Sequence, residues 1–169
     1  PVYLAFYKPA GVVTTIADPQ GRPKITDFLH GVPERVFPVG RLDFDSEGLL
    51  FLTNDGELAH RLMHPRNKIP KTYAVWVVGK VGNESLKRLR EGVVLDDGPT
   101  QPAAVRVIQR LRAQTLLEII ITEGRKRQVR RMCDAIGHPV IKLERTAIGA
   151  LTLKGLQPGR FRELTDLEV

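Results

Sequence analysis

Cysteine and long apolar runs are scarce in this sequence, and each scarcity excludes a class of protein. The single cysteine, Cys133, excludes an internal disulfide and a cysteine-based zinc site, which favours a reducing compartment. No apolar run approaches the roughly 20 residues that a transmembrane helix needs. The first residues do not form a signal-peptide pattern either. We therefore expect a cytoplasmic protein that does not enter a membrane.

Acidic residues are the minority among the charged side chains. They number 19 against 26 lysines and arginines, which gives a net charge of +7 and a pI near 9.9. This balance fits a polyanionic partner such as a nucleic acid. The 169 residues, 42% of them hydrophobic, suit one domain made of two packed halves, roughly 1–64 and 65–169. Because the chain begins with proline instead of methionine, we expect a processed protein or a fragment.

The most informative stretch of the chain is residues 40–56. Three carboxylates, here called the acidic block, stand at alternate positions: Asp43, Asp45 and Glu47. The apolar run 49–52 follows at once and is predicted to be a buried strand. Carboxylates held against a core strand are costly unless they have partners. The acidic block is therefore a candidate functional site.

Two alternatives to a catalytic site exist for the acidic block. Its carboxylates and Gly48 match the first, third, fifth and sixth positions of a calcium-binding EF-hand loop. The match then fails, because Asn54 stands at the twelfth position, where a bidentate glutamate is required, and a strand instead of a helix is predicted there. The other alternative is a solvated acidic turn between two strands, which is common for clusters of Asp and Ser.

Strands dominate the secondary structure that the sequence predicts, and helices fall irregularly between them. Strands are predicted at 2–7, 49–52, 73–78, 103–109, 115–122, 140–143, 151–153 and 161–164. Helices are predicted near 23–29, 57–63, 83–92 and 126–136. This order predicts an α+β fold with a mixed, mainly antiparallel sheet.

Two of the predicted helices carry capping signals and a patterned apolar face. In the helix 57–63, Leu58, Leu62 and Met63 are expected on one helical face, with Asn54 or Asp55 as the cap. In the next helix, Asn83 is expected to cap a segment that buries Leu86 and Leu89 and ends at Gly92.

Four blocks of the sequence together carry a family resemblance. The first three are Lys8-Pro9-Ala10-Gly11, then Gly40-Arg41-Leu42-Asp43 with Ser46-Glu47-Gly48-Leu49-Leu50 and Thr53-Asn54-Asp55-Gly56, then Lys71-Thr72-Tyr73. The fourth is the basic segment from Glu123 to Met132. In their order and spacing these blocks resemble the RsuA-type ribosomal RNA pseudouridine synthases. The resemblance extends from Tyr3 to about Leu164. It implies the pseudouridine synthase fold, a long bent sheet with the active cleft across its middle, and isomerisation of uridine in ribosomal RNA without a metal or organic cofactor.

The resemblance also implies roles for four residues. Asp43 corresponds to the catalytic aspartate, and three actions stay open for it: attack on C1′, attack on C6, or removal of a sugar proton. Tyr73 is expected to stack on the target base and can accept a proton. Leu143 corresponds to an apolar residue beneath the uracil, and Arg41 to an arginine that fills the space of the flipped nucleotide or holds a phosphate.

The periodicity of the basic helix predicts which of its arginines lies nearest to the protein interior. Its predicted buried stripe, at positions i, i+3, i+4 and i+7, is Val129, Met132, Cys133 and Ile136. Arg130 lies at the edge of this stripe, so we expect it to enter a half-buried site and pair with Asp43. The remaining basic residues are expected to face the RNA backbone, close to the positive helix N-terminus: Arg125, Lys126, Arg127 and Arg131.

The resemblance is strongest to the large-subunit enzymes, which act on 23S ribosomal RNA. The segments 62–67 and 96–100 carry this finer resemblance. Many relatives also have a small N-terminal RNA-binding S4 domain, whereas this chain starts at the catalytic domain.

We expect the protein to be a monomer. The alternatives are a non-catalytic RNA-binding or ribosome-assembly module on the same fold, and a metal-dependent nuclease built on the acidic block, which would need a divalent ion.

Overall fold

The computed structural model describes residues 1–165 and Glu168, and within this part of the chain it has eleven strands and three α-helices. The strands are β1 (Tyr3–Lys8), β2 (Phe37–Val39), β3 (Glu47–Thr53), β4 (Lys71–Val78), β5 (Val94–Leu95), β6 (Gly98–Pro99), β7 (Ala104–Arg110), β8 (Gln114–Ile121), β9 (Val140–Ile148), β10 (Leu151–Thr152) and β11 (Phe161–Glu163). The helices are α1 (Gly56–Met63), α2 (Asn83–Glu91) and α3 (Gln128–Ala135). Among the described residues, no helix combines the length and the apolar character that crossing a membrane requires.

The chain divides into two compact units. The first contains Pro1–Lys68 together with Thr146–Val169, and the second contains Ile69–Arg145. The division at Lys68 lies close to the boundary near residue 64 that the sequence suggests. The C-terminal residues, however, belong with the first unit, because β11 adds to β1 as its neighbour in the sheet.

The first unit is an antiparallel arrangement around β1. This strand pairs with β3 from Tyr3↔Thr53 to Lys8↔Gly48 and with β11 on its other edge. The strand β2 pairs with the end of β3. Alternate side chains of β1 and β3 point into one core, and most residues of both strands are buried on either face. The core of this unit is formed by Leu4, Phe6, Val12, Ile25, Val36, Leu42, Leu50 and Leu52.

The second unit packs two helices against the antiparallel strands β4, β8 and β7. The strand β4 pairs with β8 from Lys71↔Ile121 to Val78↔Gln114, and β8 pairs with β7. The short strands β5 and β6 form a separate hairpin. The core combines strand residues with the apolar faces of α2 and α3, and includes Val75, Val77, Leu86, Leu89, Leu117, Ile119, Val129 and Met132.

Two predicted details of the helices are wrong. Met63 is 52% exposed, and Ala59 is buried instead. At about 100° per residue, Leu58, Ala59 and Leu62 centre the buried face of α1, and Met63 lies roughly 90° from that centre. Asn83 does not cap α2: it is the first helical residue, and Gly82 takes the cap position without a side-chain bond. The expected cap of α1 is confirmed, since the Asp55 carboxylate accepts the Leu58 N–H at 3.0 Å.

Candidate active site

The loop between β2 and β3, residues 40–46, carries Asp43 and is held through its backbone. The hydroxyl of Thr14 donates to the carbonyl oxygen of Leu42 and accepts the Leu42 N–H at 3.2 Å. On the other side, the N–H of the buried Ser46 donates to the carbonyl oxygen of Asp43 at 3.0 Å. Backbone bonds therefore fix the chain on both sides of the half-buried Asp43 side chain.

Two glycines with positive φ shape the surroundings of this loop. Gly40, at φ 78°, begins the loop directly after β2, and an L side chain rarely adopts this conformation. Gly11, at φ 82°, belongs to the turn after β1, and its N–H donates to the carbonyl oxygen of Phe44 at 2.7 Å. The opening block and the acidic block of the sequence, 33 residues apart at these two positions, are thus joined by a direct hydrogen bond.

A fully buried lysine lies in the same region of the first unit. Lys8 has no exposed surface, and its ammonium donates to the carbonyl oxygens of Pro9 at 2.8 Å and Val12 at 2.7 Å. Burial lowers the pKa of Lys8 to about 8, and the carboxylates of the acidic block oppose this shift. Lys8 therefore supplies a desolvated positive charge that interacts electrostatically with the acidic block.

The burial of Lys8 could not be predicted from residue type and position alone. Lysine is almost never fully buried unless it is paired, so a lysine at the end of a strand is expected to point to solvent. The signal available was the position of Lys8 in the opening block, directly before Pro9-Ala10-Gly11. Its burial follows from the turn at Gly11, which brings the Val12 carbonyl back over the ammonium.

We expect Lys8→Met to change how stability depends on pH. In the folded protein the pKa of Lys8, about 8, lies below the ordinary value of 10.5. Between these values the unfolded chain binds a proton that the folded chain does not, so this group makes stability rise with pH. The free energy of unfolding of the parent protein minus that of Lys8→Met should increase by about 2–3 kcal/mol from pH 8 to pH 10. Urea unfolding of both proteins across this range measures the difference. A flat difference would contradict a lowered pKa.

In the second unit, Tyr73 and Leu143 belong to the core sheet. Tyr73 lies on β4 opposite Ile119 of β8 and is partly buried against the core of this unit. Leu143, on β9, is buried in the same core. Lys71, two residues before Tyr73, is half-buried, and burial together with the nearby charge of Arg145 lowers its pKa. This end of β4 therefore combines an aromatic ring with positive charge.

The basic helix is oriented as its periodicity predicts. Val129, Met132, Cys133 and Ile136 are all buried, which confirms the predicted stripe. Burial raises the pKa of Cys133 to about 12, so its thiol is neutral and packs as an apolar group. Arg130 and Arg131 are both half-buried, whereas Lys126 and Arg127 are exposed. The helix begins two residues later than predicted, because Arg127 adopts a left-handed conformation at the cap position.

Arg125 and Arg131 have an acidic partner within the protein. Both guanidinium groups bond to the carboxylate of Asp97, that of Arg131 at 2.8 Å and 3.3 Å. These bonds, first from Arg131 and then from Arg125, hold the pKa of Asp97 well below its ordinary value. Arg125 also donates to the carbonyl oxygens of Gly98 and Pro99, each at 2.9 Å. The two arginines thus attach the β5–β6 hairpin to the start of α3, and their contact with RNA stays a prediction.

The burial of Gln128, within the basic segment, was not predicted from the sequence. Gln128 is buried, and its amide donates to Glu123 at 2.8 Å while its side-chain oxygen accepts the Arg125 N–H at 3.2 Å. Glu123 in turn accepts the backbone N–H of Gln101 at 2.9 Å. Gln128 therefore closes the turn that precedes α3, although a glutamine within a basic run is expected to be solvated.

The predicted site residues are distributed over both units. Arg41 and Asp43 lie in the first unit. The other seven lie in the second: Tyr73, Arg125, Lys126, Arg127, Arg130, Arg131 and Leu143. The EF-hand alternative is excluded by the structure, since its fifth to eleventh positions lie in β3 and the Asn54 side chain accepts the Val2 N–H at 2.8 Å.

The sequence model of the RNA pseudouridylate synthase family matches residues 2–135, and the chain belongs to this family. Membership confirms the family and the fold class that the sequence predicted.

Curated relatives extend the match over the whole chain. The chain is 47% identical to the ribosomal large subunit pseudouridine synthase B of Bacillus subtilis (strain 168), over 100% of this chain and 70% of that protein. It is 48% identical to the ribosomal large subunit pseudouridine synthase E of Xanthomonas campestris pv. campestris, over 92% of this chain and 91% of the relative. A crystal structure of a pseudouridylate synthase superposes with a TM-score of 0.89 at 32% identity, over 99% of this chain and 71% of that one.

Proposed function

We propose that this protein isomerises a specific uridine of large-subunit ribosomal RNA to pseudouridine, with Asp43 as the catalytic carboxylate. The observation that carries the proposal is the Asp43 loop, fixed by backbone bonds within a chain that belongs to the pseudouridylate synthases. The substrate is proposed because relatives of two kinds, B and E, are both named as large-subunit enzymes. The net charge of +7 suits an RNA substrate.

The reaction needs one carboxylate and no redox partner. The C1′–N1 bond of the uridine breaks, the uracil rotates, and a C1′–C5 bond forms. The proton on C5 is released and N1 takes up a proton, so atoms and electrons balance without water or an oxidant being consumed. Asp43 suits this chemistry because a half-buried carboxylate on a fixed loop can act as a nucleophile or as a base.

Other residues are proposed to bind and orient the target nucleotide. Tyr73 offers a partly buried ring for stacking on the uracil, and Leu143 an apolar surface beneath it. The exposed Arg41, two residues before Asp43, suits the space left by the flipped nucleotide or its phosphate. These contacts would exclude water from the base while it rotates.

Arg130 is proposed as the cation that keeps Asp43 ionised. A half-buried carboxylate needs a positive partner to remain charged. The half-buried arginines of α3 are Arg130 and Arg131, and the guanidinium group of Arg131 is already bonded to Asp97, which favours Arg130. Lys126 and Arg127 are exposed and suit the RNA backbone better.

The test of the proposed function is pseudouridine mapping on unmodified transcripts of 23S and 16S ribosomal RNA. After incubation with the protein, carbodiimide treatment and primer extension should reveal one modified uridine in the 23S transcript. Modification of the 16S transcript alone would overturn the large-subunit assignment, and no modification of either would overturn the activity.

The same assay in EDTA distinguishes the protein from a metal-dependent nuclease. Pseudouridine formation should persist in EDTA, whereas a nuclease would cleave RNA only with a divalent ion. A monomer working in the cytoplasm stays a prediction.

A further inference from the structure

An exposed aromatic ring lies directly after Asp43. The ring belongs to Phe44, which is 42% exposed. Its carbonyl oxygen is held by the Gly11 N–H at 2.7 Å. A single exposed apolar residue is ordinary by itself. What distinguishes Phe44 is an arginine of the loop 18–22 that lies over its ring.

The loop 18–22 places an arginine over this ring. The guanidinium carbon of Arg22 lies 5.4 Å from the centroid of Phe44, within the range of a cation–π contact. The Asp18 carboxylate fixes Arg22 through three bonds: from the backbone N–H at 2.6 Å, from Nε at 3.1 Å and from Nη2 at 3.2 Å. The Asp18 side chain is only 4% exposed, whereas that of Arg22 is 41% exposed. Gly21, at φ 71°, closes the turn by donating to the Asp18 carbonyl oxygen at 3.1 Å.

The charge arrangement favours a base over a phosphate as the ligand of this pair. Asp18 neutralises Arg22, and Asp43 and Asp45 flank Phe44 with further negative charge. The paired Arg22 therefore offers a phosphate little attraction, whereas the flat face of a base gains from stacking on an aromatic ring or a guanidinium plane. Such stacking is tolerant of base identity, because every base has a π-face.

We propose that Phe44 and Arg22 form a stacking platform for an unpaired nucleotide next to the target uridine in the RNA. The platform adjoins Asp43, so the stacked nucleotide would be a near neighbour of the one that reacts. Flipping the target out of its stack leaves adjacent bases without a partner, and the platform supplies one. The inference rests on the proposed function for the identity of the RNA, and it makes Phe44 and Arg22 positioning residues.

The test compares four substitutions in RNA binding. Phe44→Ala should raise the Kd for an RNA hairpin carrying the mapped uridine by roughly 5- to 150-fold, the range for loss of one stacked base. Phe44→Trp should retain affinity within about 2-fold, because it keeps the aromatic face, whereas Phe44→Leu should behave like Phe44→Ala. Ile16→Ala is the matched control, because Ile16 is an apolar residue of similar exposure, 39%, outside the loop 40–46. Its replacement should change the Kd little.

A fluorescent base reports stacking directly. With 2-aminopurine placed on either side of the target uridine, fluorescence in the wild-type complex should be lower than in the complex with Phe44→Ala or Phe44→Leu at one of the two positions. A merely structural role for Phe44 would leave the fluorescence equal while turnover fell. Equal Kd values for Phe44→Ala, Phe44→Leu and the parent protein would overturn the platform, as would an equal loss in Ile16→Ala.

A second probe separates this inference from the proposed function. A single-stranded oligouridine containing one 2-aminopurine needs no knowledge of the natural target. If the protein modifies neither ribosomal transcript but still quenches this probe through Phe44, the function fails and the platform stands. If it modifies 23S RNA while all Phe44 variants bind both probes equally, the function stands and the platform fails.

Discussion

Asp43→Asn should abolish pseudouridine formation while leaving folding and RNA affinity nearly intact. The amide preserves the shape of the side chain but is neither a nucleophile nor a useful base, so the loss should reach the limit of detection. The fold should be kept because the bonds that hold this loop run through the backbone of Leu42, Asp43 and Phe44, and not only through the carboxylate. Release of tritium from 5-tritiated uridine in ribosomal RNA measures turnover, and a filter-binding assay measures affinity.

Asp45→Asn provides the matched control for this experiment. It makes the same chemical change two residues away, on an exposed side chain of the same acidic block. We expect it to retain most of the activity. Turnover by Asp43→Asn close to that of the parent protein would remove Asp43 from the mechanism. Equal loss in both variants would instead indicate that the block acts through its total charge.

Arg130→Ala should also stop turnover, but it should hardly change the salt dependence of RNA binding. If Arg130 is the cation of Asp43, its removal leaves a carboxylate in a partly dry site without its partner. Breaking a buried pair in this way can cost about 3–5 kcal/mol. The carboxylate would then take up a proton or move, so the single-turnover rate at saturating RNA should collapse and thermal stability should fall.

Lys126→Ala is the better control for a phosphate contact. Arg131 and Arg125 are unsuitable, because removing either one deletes one of the two ion pairs that hold Asp97 and perturbs the β5–β6 hairpin. Lys126 is exposed at the start of the same basic segment. Its loss should weaken binding and lower the salt slope by roughly 0.7–0.9, with turnover at saturating RNA falling less. If Arg130→Ala and Lys126→Ala behave alike in both assays, another basic residue partners Asp43.

The sequence by itself determined the elements whose signal is local. The apolar run 49–52 predicted β3, and the spacing of Val129, Met132, Cys133 and Ile136 predicted the buried face of α3. Both rest on periodicities that a strand or a helix imposes on neighbouring residues. The same geometry explains the error at Met63, because this residue lies roughly 90° from the centre of the face that Leu58, Ala59 and Leu62 form.

Only the tertiary structure decided which charges and rings meet. Lys8 is buried because the chain turns back over it, and Asp97 bonds to Arg131, 34 residues later in the chain. Phe44 receives Arg22 from a separate loop. Sequence patterns report how each side chain is presented along its own element, whereas such contacts depend on where distant segments are placed by burial of the core. The sequence therefore predicted the family and the chemistry, and the structure revealed which basic residues already have partners within the protein.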